Sequence, residues 1–274
     1  MIANILSIAG SDPSGGAGIQ ADLKAFSARG TYGMAALTAL TAQNTQGVTG
    51  VHLVPPDFVA DQINAVFSDI RVDAVKIGMI ATAGIAEAVA EALAPHRGLP
   101  IVLDPVMVAK GGAALLNPSA VDALKSVLLP MATHLTPNLP EASALIDAPS
   151  AINRDEMLEQ ADQLAALGPE WVILKGGHLA GPHSPDLLVG HGETRWFEAH
   201  RTETANTHGT GCSLSAALAA ELGKGATTFD AVSVAKSYLT SAIAAADQLS
   251  VGSGHGPTHH FHALWRRDAS EEFS

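Results

Sequence analysis

Six short runs of aliphatic and β-branched residues constrain this fold more than any other feature of the chain. Each is bounded by turn-forming residues and separated from the next by a longer segment. They are Ile5–Ala9, Met34–Ala42, Val75–Ile77, Ile101–Leu103, Thr133–Leu135 and Trp171–Leu174. Strands that are apolar throughout, rather than alternately, are covered on both faces, and the usual cover is helical. Helical patterns over Ile19–Ala28, Asp57–Phe67, Ile85–Leu93, Ser119–Leu129, Glu141–Ile146 and Asp155–Leu167 supply it. After Lys175 the pattern changes. Asp186–Val189 and Thr194–Phe197, joined across Gly190-His191-Gly192, predict an antiparallel hairpin at the sheet edge. Ala-rich helices over Cys212–Leu222 and Phe229–Leu249 follow, then a Gly/His-rich tail. The expectation is an α/β chain built on a mainly parallel sheet, and with no repeat, charge block or long Pro/Ser linker, residues 1–274 read as one domain.

Composition excludes several functions. Hydrophobic residues make up 47 %, enough for a sizeable core, while 15 Lys+Arg against 27 Asp+Glu leave a net charge of −12. That balance offers no basic field for nucleic acid or an anionic membrane, although a small anion remains compatible with it. The single cysteine, Cys212, forbids an intrachain disulfide and fits a reducing compartment. Met1–Gly10 carries no Lys or Arg, and no run approaches the roughly 20 apolar residues of a membrane span. The expectation is a cytoplasmic globular protein.

In a parallel sheet, ligands bind beyond the carboxyl ends of the strands, so loops there carry the most weight. Asn206-Thr207-His208-Gly209-Thr210-Gly211-Cys212 runs directly into an Ala-rich helix. Glycines let backbone approach a ligand, and the first helical amides point outward at the positive end of the helix dipole; the same residues also suit a plain glycine turn. Cys212 falls in the first turn, where the dipole favours a thiolate and a general base, against the commoner fate of a small packed thiol. Asn138 and Glu141 open a helix after the strand at Thr133–Leu135: they can order phosphate oxygens and the water shell of Mg²⁺, or simply form a helix cap. Lys175, before Gly176-Gly177-His178, suits a point-charge contact to phosphate or a solvated surface. Asp104, opening the loop to Gly112, is a candidate metal neighbour or a loop anchor. No Gly-x-x-x-x-Gly-Lys-Ser/Thr occurs, and no Gly-x-Gly-x-x-Gly follows the first strand, which argues against P-loop and dinucleotide enzymes. The tail His259-His260-Phe261-His262 lacks common metal-ligand spacing and reads as a structural tail or subunit contact.

Taken in order, Ala9–Asp22, Ala42-Gln43-Asn44-Thr45, Lys76-Ile77-Gly78-Met79, Thr136–Glu141, Lys175–His178 and Asn206–Cys212 resemble the hydroxymethylpyrimidine/phosphomethylpyrimidine kinases of bacterial thiamine biosynthesis, within the ribokinase-like superfamily. The likeness covers nearly the whole chain. It implies a three-layer α/β/α fold and two successive ATP-dependent phosphoryl transfers, from 4-amino-5-hydroxymethyl-2-methylpyrimidine to its monophosphate and then to the diphosphate. By motif, Gly10, Asp22, Gln43, Met79 and Val106 would contact the pyrimidine. Gly209, Thr210 and Gly211 would form the anion hole, with Cys212 as base and Lys175 on the phosphates. Asn138, Glu141, Lys175 and Thr207 would serve the nucleotide, and Asp104 and Glu141 would neighbour Mg²⁺. At Thr41 the family pattern carries a more apolar residue, so ring contacts there would differ slightly. A homodimer is the expected assembly. The alternatives are a pyridoxal kinase on the same scaffold and a non-catalytic pyrimidine-binding protein.

Overall fold

Alternate residues of each inner strand enter two different cores, as strands buried on both faces require. The computed structural model describes residues 1–107 and 118–265. In β1 (Asn4–Ala9), Leu6 and Ile8 join one core and Ile5 the other; in β5 (Ala74–Ile77), Val75 and Ile77 oppose Ala74. The pattern repeats in β6 (Ile101–Leu103) and β8 (Trp171–Lys175), where Val102, Ile173 and the half-buried Trp171 face the second core. The first core is closed by α2 (Pro56–Asp69), α3 (Ala83–Leu93), α5 (Leu139–Ile146) and α6 (Arg154–Ala165). The second is closed by α1 (Gly18–Ala28), α7 (Thr210–Gly223) and α8 (Thr228–Ala244). This is the expected three-layer α/β/α arrangement.

The sheet has eight strands in the order β10-β9-β8-β7-β6-β5-β1-β2. β2 (Tyr32–Leu37), β7 (His134–Leu135) and the strands between them in that order are parallel, as is β8 beside β7. β9 (Asp186–Gly190) and β10 (Glu193–Phe197) form the antiparallel edge hairpin. Ile8, Ile77, Leu103 and Leu135 lie side by side in register, so the loops after β1, β5, β6 and β7 leave the sheet along one edge. The order reverses at β1, with β2 on one side and β5 on the other, and this reversal opens a crevice at the carboxyl edge.

The segment expected as one strand, Met34–Ala42, is two. β2 ends at Leu37, the Thr38 hydroxyl donates to Met79 O at 2.7 Å, and the chain leaves the sheet as β3 (Ala39–Asn44), which pairs antiparallel with β4 (Gly47–Leu53) in a separate hairpin. The helix expected over Ser119–Leu129 begins as α4 (Pro118–Ala123) and widens into a π-helical turn at Leu124–Leu128. Residues 108–112 of the Asp104 loop lie outside the described residues, as does the chain after Trp265.

Candidate active site

Two cavities meet at the carboxyl edge. The first, about 570 Å³, is lined by Gly10, Gln43, Met79, Val106, Gly209 and Cys212, among others. The second, about 530 Å³, is bounded by Arg201, Thr204 and the α8 residues Lys236 and Thr240. Asn138, Lys175, His178, Thr207, Thr210 and Gly211 line both. Of the sequence-expected residues, Gly10, Gln43, Met79 and Val106 line the first cavity with Asp104, Glu141, Gly209 and Cys212, while Asn138, Lys175, Thr207, Thr210 and Gly211 stand at the junction.

Backbone geometry makes the junction a cradle. Gly209 caps α7 at φ +74° with no side-chain cap, and a Cβ there would strike Gly16 O. The loop after β1 therefore sits against the start of α7, and only glycine permits the approach. A Cβ at Gly211 would lie 3.2 Å from Lys175 Nζ and 3.6 Å from Asp104 Oδ2, which places the first turn of α7 directly over the Lys175–Asp104 pair. Amides without intrahelical partners and one ammonium thus face the same space.

Lys175 Nζ donates to Asp104 Oδ1 at 2.8 Å and stands 3.8 Å from Glu141 Oε2. Burial alone would raise the Asp104 carboxyl, but Lys175 and Lys76 outweigh it and hold it below its ordinary range. Burial would likewise lower Lys175, yet Asp104 and Glu141 hold the ammonium above its usual value. Glu141 is pushed up to about 7, first by burial, with Lys175 opposing. The helix-cap reading of Asn138 and Glu141 is also realised. Glu141 N donates to Asn138 Oδ1 at 2.9 Å and Asn138 N to Glu141 Oε2 at 2.7 Å. The cap fixes the carboxylate beside Lys175, so one arrangement serves both purposes.

Asp22 stands elsewhere than expected. It does not line either cavity; fully buried, its Oδ2 accepts from Ser7 Oγ at 2.6 Å and Lys76 Nζ at 2.9 Å. All three lie on the α1 and α7 side of the sheet, and the cleft meets Lys76 instead. Burial would strip the charge from Lys76, but Asp22, Cys212 and Asp104 more than offset it and keep the ammonium charged. A lysine inside the apolar run Val75–Ile77 was the sequence signal for this pair.

Cys212 also corrects an expectation. It is partly accessible from the cleft, but the surrounding protein pushes the thiol up to about 11, Lys76 and an amide hydrogen bond from Gly18 pulling only part of the way back. Burial, which disfavours the charged thiolate, is the largest cause, with the carboxylates of Asp22 and Asp104 acting in the same direction. The tail histidines are structural: His259 and His260 are buried, and His260 Nε2 lies 2.9 Å from Ser213 Oγ on α7.

Among the described residues no group of three or more His, Cys, Asp or Glu is placed to hold a metal unaided. Asp104 and Glu141, the two carboxylates flanking Lys175, are the groups that would neighbour a Mg²⁺ arriving with nucleotide phosphates and keeping several of its waters.

Comparison with known proteins agrees with this geometry. A family model described as phosphomethylpyrimidine kinase matches residues 12–259. The hydroxymethylpyrimidine/phosphomethylpyrimidine kinase of Escherichia coli strain K12 is 58 % identical over 263 residues, 96 % of this chain and 98 % of that protein. The pyridoxal kinase of Bacillus subtilis, solved as an ADP complex, superposes with a TM-score of 0.88 at 37 % identity, covering 96 % of this chain and 99 % of its own. The phosphomethylpyrimidine kinase of Clostridium difficile gives 0.78 at 43 % identity, covering 88 % and 99 %. The ribokinase-like fold and a phosphotransferase chemistry follow, and the chain belongs to the phosphomethylpyrimidine kinase family.

Proposed function

We propose that this protein phosphorylates 4-amino-5-hydroxymethyl-2-methylpyrimidine with ATP and then phosphorylates the monophosphate to the diphosphate, within thiamine diphosphate biosynthesis. The observation that carries the reading is the meeting of two cavities at Lys175 and Gly211. A flat heterocycle fits the first, between Met79 and Val106 with Gln43 at its edge; a nucleotide fits the second. The transferring phosphoryl group then lies at the shared wall, where charge stabilisation and positioning supply most of the catalysis. Amides at the start of α7 bind its oxygens and Lys175 offsets their charge. Mg²⁺, when bound, neutralises phosphate charge.

Cys212 takes the hydroxyl proton in the first transfer, in its thiolate form. The second transfer has a phosphate nucleophile and needs no base. Thr207, at the wall between the cavities, and Asn138 serve the nucleotide. A homodimer accords with the exposed apolar side chains Leu40, Val51 and Leu53 of the β3–β4 hairpin and Phe58 of α2. No helix among the described residues is long and apolar enough to cross a membrane, and the expected setting is the cytoplasm.

The pyridoxal reading shares the fold, but Gln43 presents a carboxamide that can donate to and accept from an aminopyrimidine edge at once. A coupled ADP-release assay with the two substrates separates them. Turnover of the hydroxymethylpyrimidine with higher kcat/KM is expected; turnover of pyridoxal alone overturns the proposal.

A further inference from the structure

Gln43 is held at both ends. Its carboxamide lies 3.3 Å from His208 Nε2 on one side and 3.3 Å from Thr41 Oγ1 on the other. His208 Nε2 is in turn 2.7 Å from Asp12 Oδ2. Asp12 is an acceptor throughout. Oδ2 also receives the amides of Gly16 and Ala17, and Oδ1 receives the amide and hydroxyl of Ser14. Burial would raise this carboxyl, but the hydrogen bonds from His208 and Ser14 hold it below its usual range, so it is ionised.

These contacts decide the protons. A 2.7 Å approach to an ionised carboxylate requires a proton on His208 Nε2. Nε2 therefore donates and cannot accept from an amide nitrogen of Gln43. The single hydroxyl proton of Thr41 goes to Ser11 O at 2.9 Å, so Thr41 Oγ1 can only accept from Gln43. Nitrogen toward His208, the orientation in which the side chain stands here, sets donor against donor and acceptor against acceptor. Turning the carboxamide over resolves both conflicts together: Gln43 Oε1 then faces the one His208 Nε2–H as the longer, 3.3 Å arm of a bond shared with Asp12 Oδ2, and Gln43 Nε2–H donates to Thr41 Oγ1.

We propose that Asp12 and His208 are positioning residues that lock the Gln43 carboxamide with one N–H and one carbonyl lone pair toward the cleft. That pair of groups matches a 4-aminopyrimidine edge, the N–H to a ring nitrogen and the carbonyl oxygen to the exocyclic amine. The same Asp12–His208 contact ties the loop after β1 to the loop preceding α7, so the heterocycle is oriented by the segments that build the phosphate cradle. This inference rests on the aminopyrimidine reading of the cleft.

The test is calorimetric binding of 4-amino-5-hydroxymethyl-2-methylpyrimidine and of its analogue lacking the 4-amino group, to wild type, His208→Ala and His208→Gln. Loss of the locking bond is expected to weaken the aminopyrimidine about tenfold in His208→Ala and the analogue less than about twofold, because the lock acts through the carbonyl that receives the amine. His208→Gln, whose amide can donate to the same partners, should recover most of the affinity, and kcat at saturation should change far less than KM. Equal weakening of both ligands, or none, overturns the proposal. Ring ¹⁵N spectra give a readout independent of ligand: a signal lost in His208→Gln must report Nε2–H, and a ring protonated at Nδ1 without Nε2–H overturns the lock. Failure of wild type to bind either ligand overturns the functional reading instead, and the ring spectrum still decides the lock.

Discussion

Lys175 Nζ stands 2.8 Å from Asp104 Oδ1, and this one contact joins the ends of β8 and β6 where the two cavities meet. Asp104 is 1 % exposed, so the pair has structural as well as catalytic consequences. Lys175→Met should strand a buried carboxylate, costing about 3 kcal/mol of stability. It should also lower kcat by roughly 10²–10³, the usual effect of removing a group aimed at transition-state charge. The double variant Lys175→Met/Asp104→Asn removes the stranded charge, and should regain much of the melting temperature without regaining activity. Recovery of both together would mean that Lys175 acts only as a structural partner.

Cys212 separates the two proposed transfers. With the thiol at about 11, the thiolate fraction grows nearly tenfold per pH unit through the neutral range. The first phosphorylation should therefore accelerate with pH more steeply than the second, when each is started from its own substrate. Cys212→Ala should cut the first by about 10² and leave the second within a few-fold. Since the chain has one cysteine, iodoacetamide incorporation reads the same thiol directly and should climb up to about pH 11. Fast alkylation at pH 7 would show the thiolate to be far more favoured.

Two buried histidines predict acid lability. Burial lowers both His134 and His260 to about 4. Each stays neutral in the fold while the unfolded chain takes up a proton below about 6.5, so stability present above that pH is lost as pH falls from 6.5 toward 4. The loss should be about 2–3 kcal/mol for each. Urea midpoints between pH 7 and 4.5 measure it, and His134→Gln should reduce the slope by about one proton. A flat profile over that range would contradict the assignment.

Two glycines with nearly the same φ should respond differently to alanine. Gly209, at +74°, has Gly16 O where a Cβ would go, whereas Gly30, at +72°, has nothing within 4 Å. Gly30→Ala should cost only the backbone strain, about 1–2 kcal/mol, with activity kept. Gly209→Ala should in addition push the two loops apart and lower kcat by more than about 10², since misplacing donors of this kind has that effect. Similar activity in the two variants would remove the cradle from the mechanism.

How much was legible in the sequence follows from the range of the forces involved. β1, β5, β6 and β8 were readable because full burial leaves a local signature, a short apolar run between turns. The break at Thr38 was not, because a buried hydroxyl bond to Met79 O, 41 residues away, turns a continuous apolar run into two strands. The glycine loop before α7 was readable, since close backbone approach demands glycine. The Asp12–His208 contact spans 196 residues and neither residue stands out locally. For Cys212 the helix start is visible in sequence, but the burial and the carboxylates that push its thiol up are properties of the whole fold. The motif points Asp22 at substrate, whereas its partner in the fold, Lys76, is visible in sequence as a charge within an apolar strand.

Two transfers through one junction fix the stoichiometry of ADP release from limiting 4-amino-5-hydroxymethyl-2-methylpyrimidine with excess ATP. Two ADP per pyrimidine in two phases are expected, with Cys212→Ala slowing the first phase and Lys175→Met slowing both. No ADP release from this substrate, or a single ADP with the monophosphate as end product, would contradict it.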